Sequence, residues 1–503
     1  MATDNSQFFP NRKALSQEFN YTPKPSSCNG RTFRVSIPAA NGGTPFLGGQ
    51  TMIFNIPCGR RNCFLDPNSS YIRYTIKNTT PTPSSTAITN APFSGSVSQA
   101  STASAAVQTF YGAGLFLDHD CYSIMNTSTL YSGSNMIEYY NGVNILYSYL
   151  LDTNLSYGNA LSNSLNYGMY VPDNNVVDIR RGALLSSIAS SVGTATGTTC
   201  TVINEQNTYC VPLLSGLLGI GSSGKMVPLY AINDVLRLEI LLENQAQAFC
   251  QIGTFPTNAQ PSYSVINAEL QMQFIELEPE GMSLVNSTAP SSSPMFIVGN
   301  SFRHYVQTIK NGTTGQFSCL VPSKLASLKA LHILFRRNTE VNSSTSYSLS
   351  SRINPNLDYI VLKISGTQIP QKPITLQGVN TTGGFAESLI ELRKCFGGLL
   401  STDKADLLFS TNYNVAISTN NGTGVFSLKT DSLSYQNAFA SAIDLELFNS
   451  KETSINGLNC LQDSLYMETN IASDPGADIT VDFFASFDNL YIIDQTGYVS
   501  SRA

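Results

Sequence analysis

Residues Tyr263–Leu277 read YSVINAELQMQFIEL, and the order of polar and apolar side chains in this stretch decides the fold. Ala268, Leu270, Met272 and Phe274 alternate with Glu269, Gln271 and Gln273. A period of two marks a half-buried strand with one face on a core. Glu278-Pro279-Glu280-Gly281 then breaks the pattern. Near the C-terminus, DITVDFFASFDNLYIID (Asp478–Asp494) alternates in the same way, with Ile479, Val481 and Phe483 set against Thr480 and Asp482. Two such strands, each at the end of a long β-rich stretch, predict two similar units in tandem.

Other segments repeat in the same order. FNIP (54–57) has a counterpart in SCLVP (318–322), and SYIRYTIKNT (70–79) in ALHILFRRNT (330–339). NILYSYLLDTNL (144–155) places Ile145 and Tyr149, and Leu146 and Leu150, at helical spacing, with Asn144 as the expected N-cap. Its counterpart is GFAESLIELRKCFGGLL (384–400), with Phe385, Leu389, Leu392 and Phe396 on one helical face. Between these landmarks, CYSIMNTSTLYSGSNMIEYY (121–140) reads as two strands around Ser132-Gly133, and DVLRLEILLEN and DYIVLKISG as one each. Correspondences in one order argue for an internal duplication. Residues 78–117 and 182–203 are neutral and rich in Ser, Thr, Ala and Gly, and read as long loops. Residues 1–30 read as an extended polar arm.

Length agrees with two units, because 503 residues exceed the roughly 250–300 at which single cores stop growing. Charged residues make up 12% of the chain, about half the usual ~25%, while 42% are hydrophobic. Such a chain is folded, and its low charge suits a surface largely covered by neighbours. The net charge of −6 and the scattered Arg60-Arg61, Arg180-Arg181 and Arg336-Arg337 pairs give no clustered basic footprint, so no strong direct nucleic-acid binding is expected. The N-terminus lacks a charged head followed by an apolar core, and no apolar run reaches 18 residues, so neither a secretion signal nor a spanning helix is expected. The ten cysteines are widely spread and are expected to be reduced.

Each candidate for chemistry has a plainer reading. Gly219-Ile-Gly221-Ser-Ser-Gly224-Lys225 resembles a phosphate-binding loop, but Met226 stands where Mg²⁺ needs a Ser or Thr, and Pro228 follows instead of a helix. Asp118-His119-Asp120-Cys121 offers four ligand types at consecutive positions, which on a strand point to opposite faces, and His304 and His332 lie far away. Cys58 and Cys63 lack a second Cys or His pair. Glu138, Asp152 and Glu391 show no recognisable partner, and no nucleophile elbow or zinc-protease motif occurs. No catalytic, cofactor-binding or metal site is therefore assigned, and no enzyme is expected.

Several stretches carry a family resemblance: FLDPNSSYIRYTIKNT, SGSNMIEYYNGVNILYSYLLD, VPLLSGLLG, KMVPLY, DVLRLEILL, SLKALHILFRRN and VDFFASFDNLYIID, in that order. In sequence and spacing the chain resembles the double jelly-roll major capsid proteins of polinton-like viruses, virophages and adintoviruses, distant relatives of adenovirus hexon. That resemblance implies an all-β fold of two tandem eight-stranded jelly rolls with short helices in the loops. The expected division is an arm at 1–30, a first roll at 31–278, a linker at 279–294 and a second roll at 295–503. It further implies a structural shell protein of an icosahedral double-stranded DNA virus, assembled inside the host cell as pseudo-hexameric homotrimers. Penton and minor capsid proteins would be its partners, and whether a membrane lies beneath the shell is left open. The alternative is a β-sandwich surface protein that binds glycans, which several disulfides would favour.

Overall fold

The computed structural model describes residues 29–43, 45–79, 111–169, 184–190, 200–204, 206–252, 262–288, 293–339, 341, 347–376, 386–396, 408, 413, 438–446 and 455–503. The expected N-terminal arm lies almost wholly outside the described residues.

In the first half the strands are β1 (Gly30–Pro38), β2 (Phe46–Leu47), β3 (Thr51–Ile56), β4 (Cys63–Asn78), β5 (Tyr111–Leu117), β6 (Met125–Ser132), β7 (Asn135–Asn141), β8 (Leu184–Ser190), β9 (Cys200–Asn204), β10 (Gln206–Pro212), β11 (Leu236–Leu242), β12 (Phe249–Ile252) and β13 (Tyr263–Leu277). One sheet has the order β1-β13-β4-β10, with β2 added to β13, and another the order β3-β11-β6-β7. Every pairing is antiparallel. Two four-stranded sheets wound in this order form a jelly roll.

The second half contributes β14 (Met295–Ile309), β15 (Gly315–Val321), β16 (Leu328–Arg337), β17 (Leu357–Ile364), β18 (Thr367–Thr375), β19 (Ser441–Asp444), β20 (Leu465–Ile471), β21 (Ile479–Ile493) and β22 (Val499–Arg502). Its sheets run β14-β21-β16-β19 and β15-β20-β17-β18, with β22 added to β21. Position for position this is the order of the first roll. The repeated segments fall on equivalent elements: β3 matches β15, β4 matches β16, and β13 matches β21.

The opening stretch is thus a central strand, paired with β1 on one side and β4 on the other. Leu270, Met272 and Phe274 are buried in the core. Burying each such side chain stabilises the fold by roughly 1.5–3 kcal/mol. Asn267, at φ 53°, sits in the bulge where pairing with β4 shifts between Ile266 and Glu269.

Both expected helices form, at Val143–Asn154 after β7 and at Ala386–Lys394 after β18. Leu392 is buried, Leu389 and Phe396 pack against the core, and Phe385 lies outside the described residues. Asn144 is not the N-cap. That position is Gly142, at φ 65°, and Asn144 lies inside the first turn, where its side chain donates to Glu243 at 3.0 Å. Buried against a carboxylate, Asn144 serves tertiary packing instead of the helix end.

The expectation of loops at 78–117 and 182–203 needs correction. Residues 80–110 and 191–199 lie outside the described residues, but β5, β8 and β9 fall within those segments. With β12 they form a further sheet of order β12-β5-β8-β9. Its strands come from three connections of the first roll: β4 to β6, β7 to β10, and β11 to β13.

The alternation in β13 can be tested directly. Leu270→Asp with Phe274→Asp places two carboxylates in the first core, at several kcal/mol each. The double variant should lose cooperative thermal unfolding of the first roll, followed by circular dichroism.

Candidate functional site: the seam between the two rolls

The equivalent strands of the two rolls are buried differently. Along β13 and β4 buried and accessible residues largely alternate. Along β16 and β21 nearly every residue is buried, on both faces. The first roll supplies the second cover. From its helix Val143–Asn154, Tyr149 Oη lies 2.9 Å from His332 Nδ1. From β7, Tyr140 Oη lies 2.8 Å from Ser301 Oγ, and Glu138 accepts from Tyr491. Asn135 donates to the Val499 carbonyl at 2.9 Å, and Ser501 to the Ile137 carbonyl at 2.8 Å.

At the centre of the seam is a buried charge cluster. Asp118-His119-Asp120 is a sharp turn between the end of β5 and the short 3-10 helix that follows, not part of a strand. His119 has φ 79°, and Asp120 caps the short 3-10 helix Cys121–Ile124 by accepting from Tyr122 N. The turn aims both carboxylates and the ring inward. His119 Nδ1 lies 2.6 Å from Asp120 Oδ2, and Nε2 lies 2.9 Å from Asp152 Oδ1. The second oxygen of Asp152 is paired with Arg352 of the second roll. Asp118 accepts from Leu349 N at 2.8 Å and from the Ser350 hydroxyl at 2.6 Å, both across the seam.

Burial alone would favour a neutral His119, but Asp152 and Asp120 outweigh it and push the ring up to about 9. It is therefore an imidazolium at neutral pH, donating from both nitrogens. Burial pushes Asp118 up to about 6, against its two hydrogen bonds across the seam. With both ring nitrogens committed, His119 has no lone pair to offer a metal. Among the described residues, no three His, Cys, Asp or Glu side chains converge as ligands.

A second buried cluster lies on β14, β16 and β21. Arg336 binds Asp482 through two nitrogens at 2.6 and 3.1 Å, and His304 Nε2 lies 2.9 Å from the same carboxylate. Burial opposes ionisation there, yet Arg336 and His304 hold the Asp482 carboxyl down at about 2. His332 is lowered to about 4 by burial alone.

The glycine-rich segment is also part of the seam. Ser222 bridges to Gly299 of β14, and Asn300 N donates to the Gly221 carbonyl at 2.7 Å. A Cβ on Gly221 would collide with the Asn300 carbonyl, and one on Gly299 with the Gly216 carbonyl. The glycines permit backbone-to-backbone contact between rolls. Lys225 is exposed, Val227 pairs with Leu65, and after Pro228, where extended chain was expected, comes a single 3-10 turn, Leu229–Ala231, too short to act as a phosphate-binding helix.

The remaining candidates stay apart. Glu391 lies 3.4 Å from Lys394 on its own helix. Cys58 and Cys63 are free thiols, as is every cysteine whose side chain is described. The sequence reading singled out Asp118, His119, Asp120, Glu138, Asp152, His304 and His332, and the seam and its flank unite all seven. It missed Arg352, Ser301 and Tyr491, which have no local pattern. Asp482 and Arg336 did carry a signal, as charges inside otherwise apolar strand runs.

No protein-family model and no curated protein matches the chain. Solved structures do. PBCV-1 VP54, fitted into a reconstruction of the virophage Sputnik, matches with a TM-score of 0.55 at 10% identity, over 96% of this chain and 99% of that one. A chain from the structure of the Sputnik virophage gives 0.55 at 14% identity, over 98% and 93%. The Faustovirus major capsid protein gives 0.54 at 12% identity, over 95% and 92%. The fold is a double jelly roll. At these identities the likeness concerns the fold, and both rolls are included in it.

Removing one charge of the cluster should be costly. Asp152→Asn leaves His119 and Arg352 buried without their shared anion, and should destabilise the chain by about 3–5 kcal/mol in urea unfolding. The cluster also sets a pH dependence. Folded His119 keeps its proton to about pH 9, whereas an unfolded histidine releases it near 6.5. Its contribution is complete below about 6.5 and is lost as pH rises through about 9. His332 works in the opposite sense, with its contribution complete above about 6.5 and lost as pH falls toward about 4. Calorimetry should show a melting temperature that falls between pH 7 and about 9.5, with a shallower fall in His119→Gln.

Proposed function

We propose that the chain is the major capsid protein of an icosahedral double-stranded DNA virus, acting by assembly and not by catalysis. The observation that carries this reading is two jelly rolls of one strand order in a single chain, packed side by side through a buried seam. That fold is shared with PBCV-1 VP54 and the Faustovirus major capsid protein. Residues 31–278 and 295–503 are its rolls, and 279–294, which include the helix Pro279–Thr288, are its link. Three copies form the capsomer. Six similar wedges then stand around a threefold axis and fill six-coordinated positions of a shell, while a separate penton protein fills the fivefold vertices. The protein resides in the virion and contacts minor capsid proteins there.

Purified protein should scatter light as a trimer near three times 54.4 kDa and show a hexagonal outline in negative stain. A monomer at every concentration and ionic strength would overturn the proposal.

A further inference from the structure

The two rolls differ in the length of one strand. In the first, β4 has 16 residues and pairs with β13 from Tyr263 down to Glu276. Its equivalent β16 has 10, and its pairing with β21 stops at Phe487. The other edge of β21 is taken by β14 along all 15 residues. Beyond Phe487 the β16 side of β21 would therefore keep unpaired backbone groups, which a buried strand does not tolerate. Tyr491 and Ile493 lie in that stretch and are buried.

The gap is filled by β22. Val499, Ser500, Ser501 and Arg502 pair antiparallel with Ile493, Ile492, Tyr491 and Leu490. One side chain shapes the turn between the two strands. Asp494 accepts from Thr496 N and Tyr498 N, each at 2.9 Å, and from the Thr496 hydroxyl at 2.7 Å. Val499 is fully buried, and Ser501, two residues on, points to the same face.

The first roll holds the same segment from its other side. Asn135 of β7 donates to the Val499 carbonyl at 2.9 Å, and Ser501 to the Ile137 carbonyl at 2.8 Å. At the turn, Asn233 N donates to the Gly497 carbonyl at 3.2 Å, and the Asn233 side chain to the Thr496 carbonyl. Gly497 has φ 78°, and a Cβ there would meet Asn233 at 2.7 Å. The duplication does not explain this arrangement. In the first roll β13 is followed by the helix Pro279–Thr288, and its added strand is β2, at the opposite end beside Ser264 and Val265.

We infer that the groove between the edge of Leu490–Ile493 and β7 is an acceptor site for one extended strand. Residues 494–503 occupy it as a detachable clasp, and their seating holds the two rolls together at this end. Strand addition of this kind draws affinity from main-chain bonds and specificity from alternate side-chain positions. The occupant selected here has a buried aliphatic residue followed two places later by a hydroxyl donor, as in Val499-Ser500-Ser501. The covalent connection raises the local concentration of the strand, so a separate peptide of the same sequence should fill an emptied groove. The clasp acts within one chain and does not depend on the trimer proposed above.

The test uses the full chain, with hydrogen–deuterium exchange read by mass spectrometry. Gly497→Val with Val499→Asp unseats the clasp, through a Cβ against Asn233 and a carboxylate in an apolar site. Segments holding Leu490–Ile493 and Asn135–Ile137 should exchange roughly tenfold faster or more, while β13 and Ile479–Phe487 keep their wild-type rates. A fluorescein-labelled peptide of residues 494–503, DQTGYVSSRA, should bind this variant saturably and restore slow exchange. It should not bind the wild-type chain, whose groove is filled, and the peptide carrying Val499→Asp should bind neither. Asn135→Ala with Ser501→Ala removes only the two bonds to β7, and should give a smaller acceleration in the same segments even if the first variant fails to fold. Unchanged exchange in this milder variant, or acceleration spread equally over both cores, would overturn the clasp. A locally opened variant that does not bind the peptide would overturn the acceptor site.

Discussion

One constraint governs the rest of the chain: β16 and β21, at the centre of their sheet, have almost no face left for water. The sheet's inner face packs on the core of the second roll and its outer face on the first roll. The charged groups caught in that contact are each held by an oppositely charged partner. An isolated buried charge is costly, and a buried pair recovers the cost only when its remaining hydrogen-bonding positions are filled. Asp152 meets this demand by serving His119 and Arg352 together, and Asp482 by serving His304 and Arg336. Apolar contact alone would let the rolls slide. Asp118 restricts them, since its bonds to Leu349 N and Ser350 Oγ are both satisfied in one relative placement.

Most of the fold was legible in the sequence, because it rests on local period. Alternation located β13, and the repeated order of segments located the second roll. The same reading paired YSVINAELQMQFIEL with DITVDFFASFDNLYIID as equals, and there it overlooked a difference. In the second segment the alternation gives way to Phe483-Phe484-Ala485, with both phenylalanines fully buried. Loss of alternation in an otherwise equivalent strand is the mark of burial on both faces. The seam's existence was therefore written in that contrast. Its chemistry was not, because Asp152 and Arg352 are 200 residues apart and no pattern along the chain joins them. The sheet β12-β5-β8-β9 escaped for a related reason. It gathers strands of only four to seven residues from three separate connections, and runs this short carry little periodic signal.

The glycine-rich segment shows how one property serves unrelated ends. A phosphate loop uses glycine so that backbone N–H groups can reach an anion, and here glycine lets two backbones meet. The residue pattern is shared because the requirement, absence of a Cβ, is shared. What separates the cases is the sequence that follows. Met226-Val227-Pro228 continues as extended chain toward Leu65, and a helix N-terminus is what an anion would have needed.

Two rolls of one topology, with unlike outer faces, follow from being covalently joined. Within a chain the partner roll is always present at high effective concentration, so an apolar face is covered as soon as both rolls fold. Between chains no such guarantee exists. A face left open on the chain has to tolerate water, because an exposed apolar sheet would invite aggregation. Arg34, Arg73 and Glu269 stand on the open face of the first roll, whereas on the second roll His332, Leu334 and Phe484 are buried and the charges of Arg336, His304 and Asp482 are paired with one another. The strand order stayed common to both, because the inner core dictates it. Only the outer residues were free to diverge, and they differ according to whether the other roll of the same chain covers them.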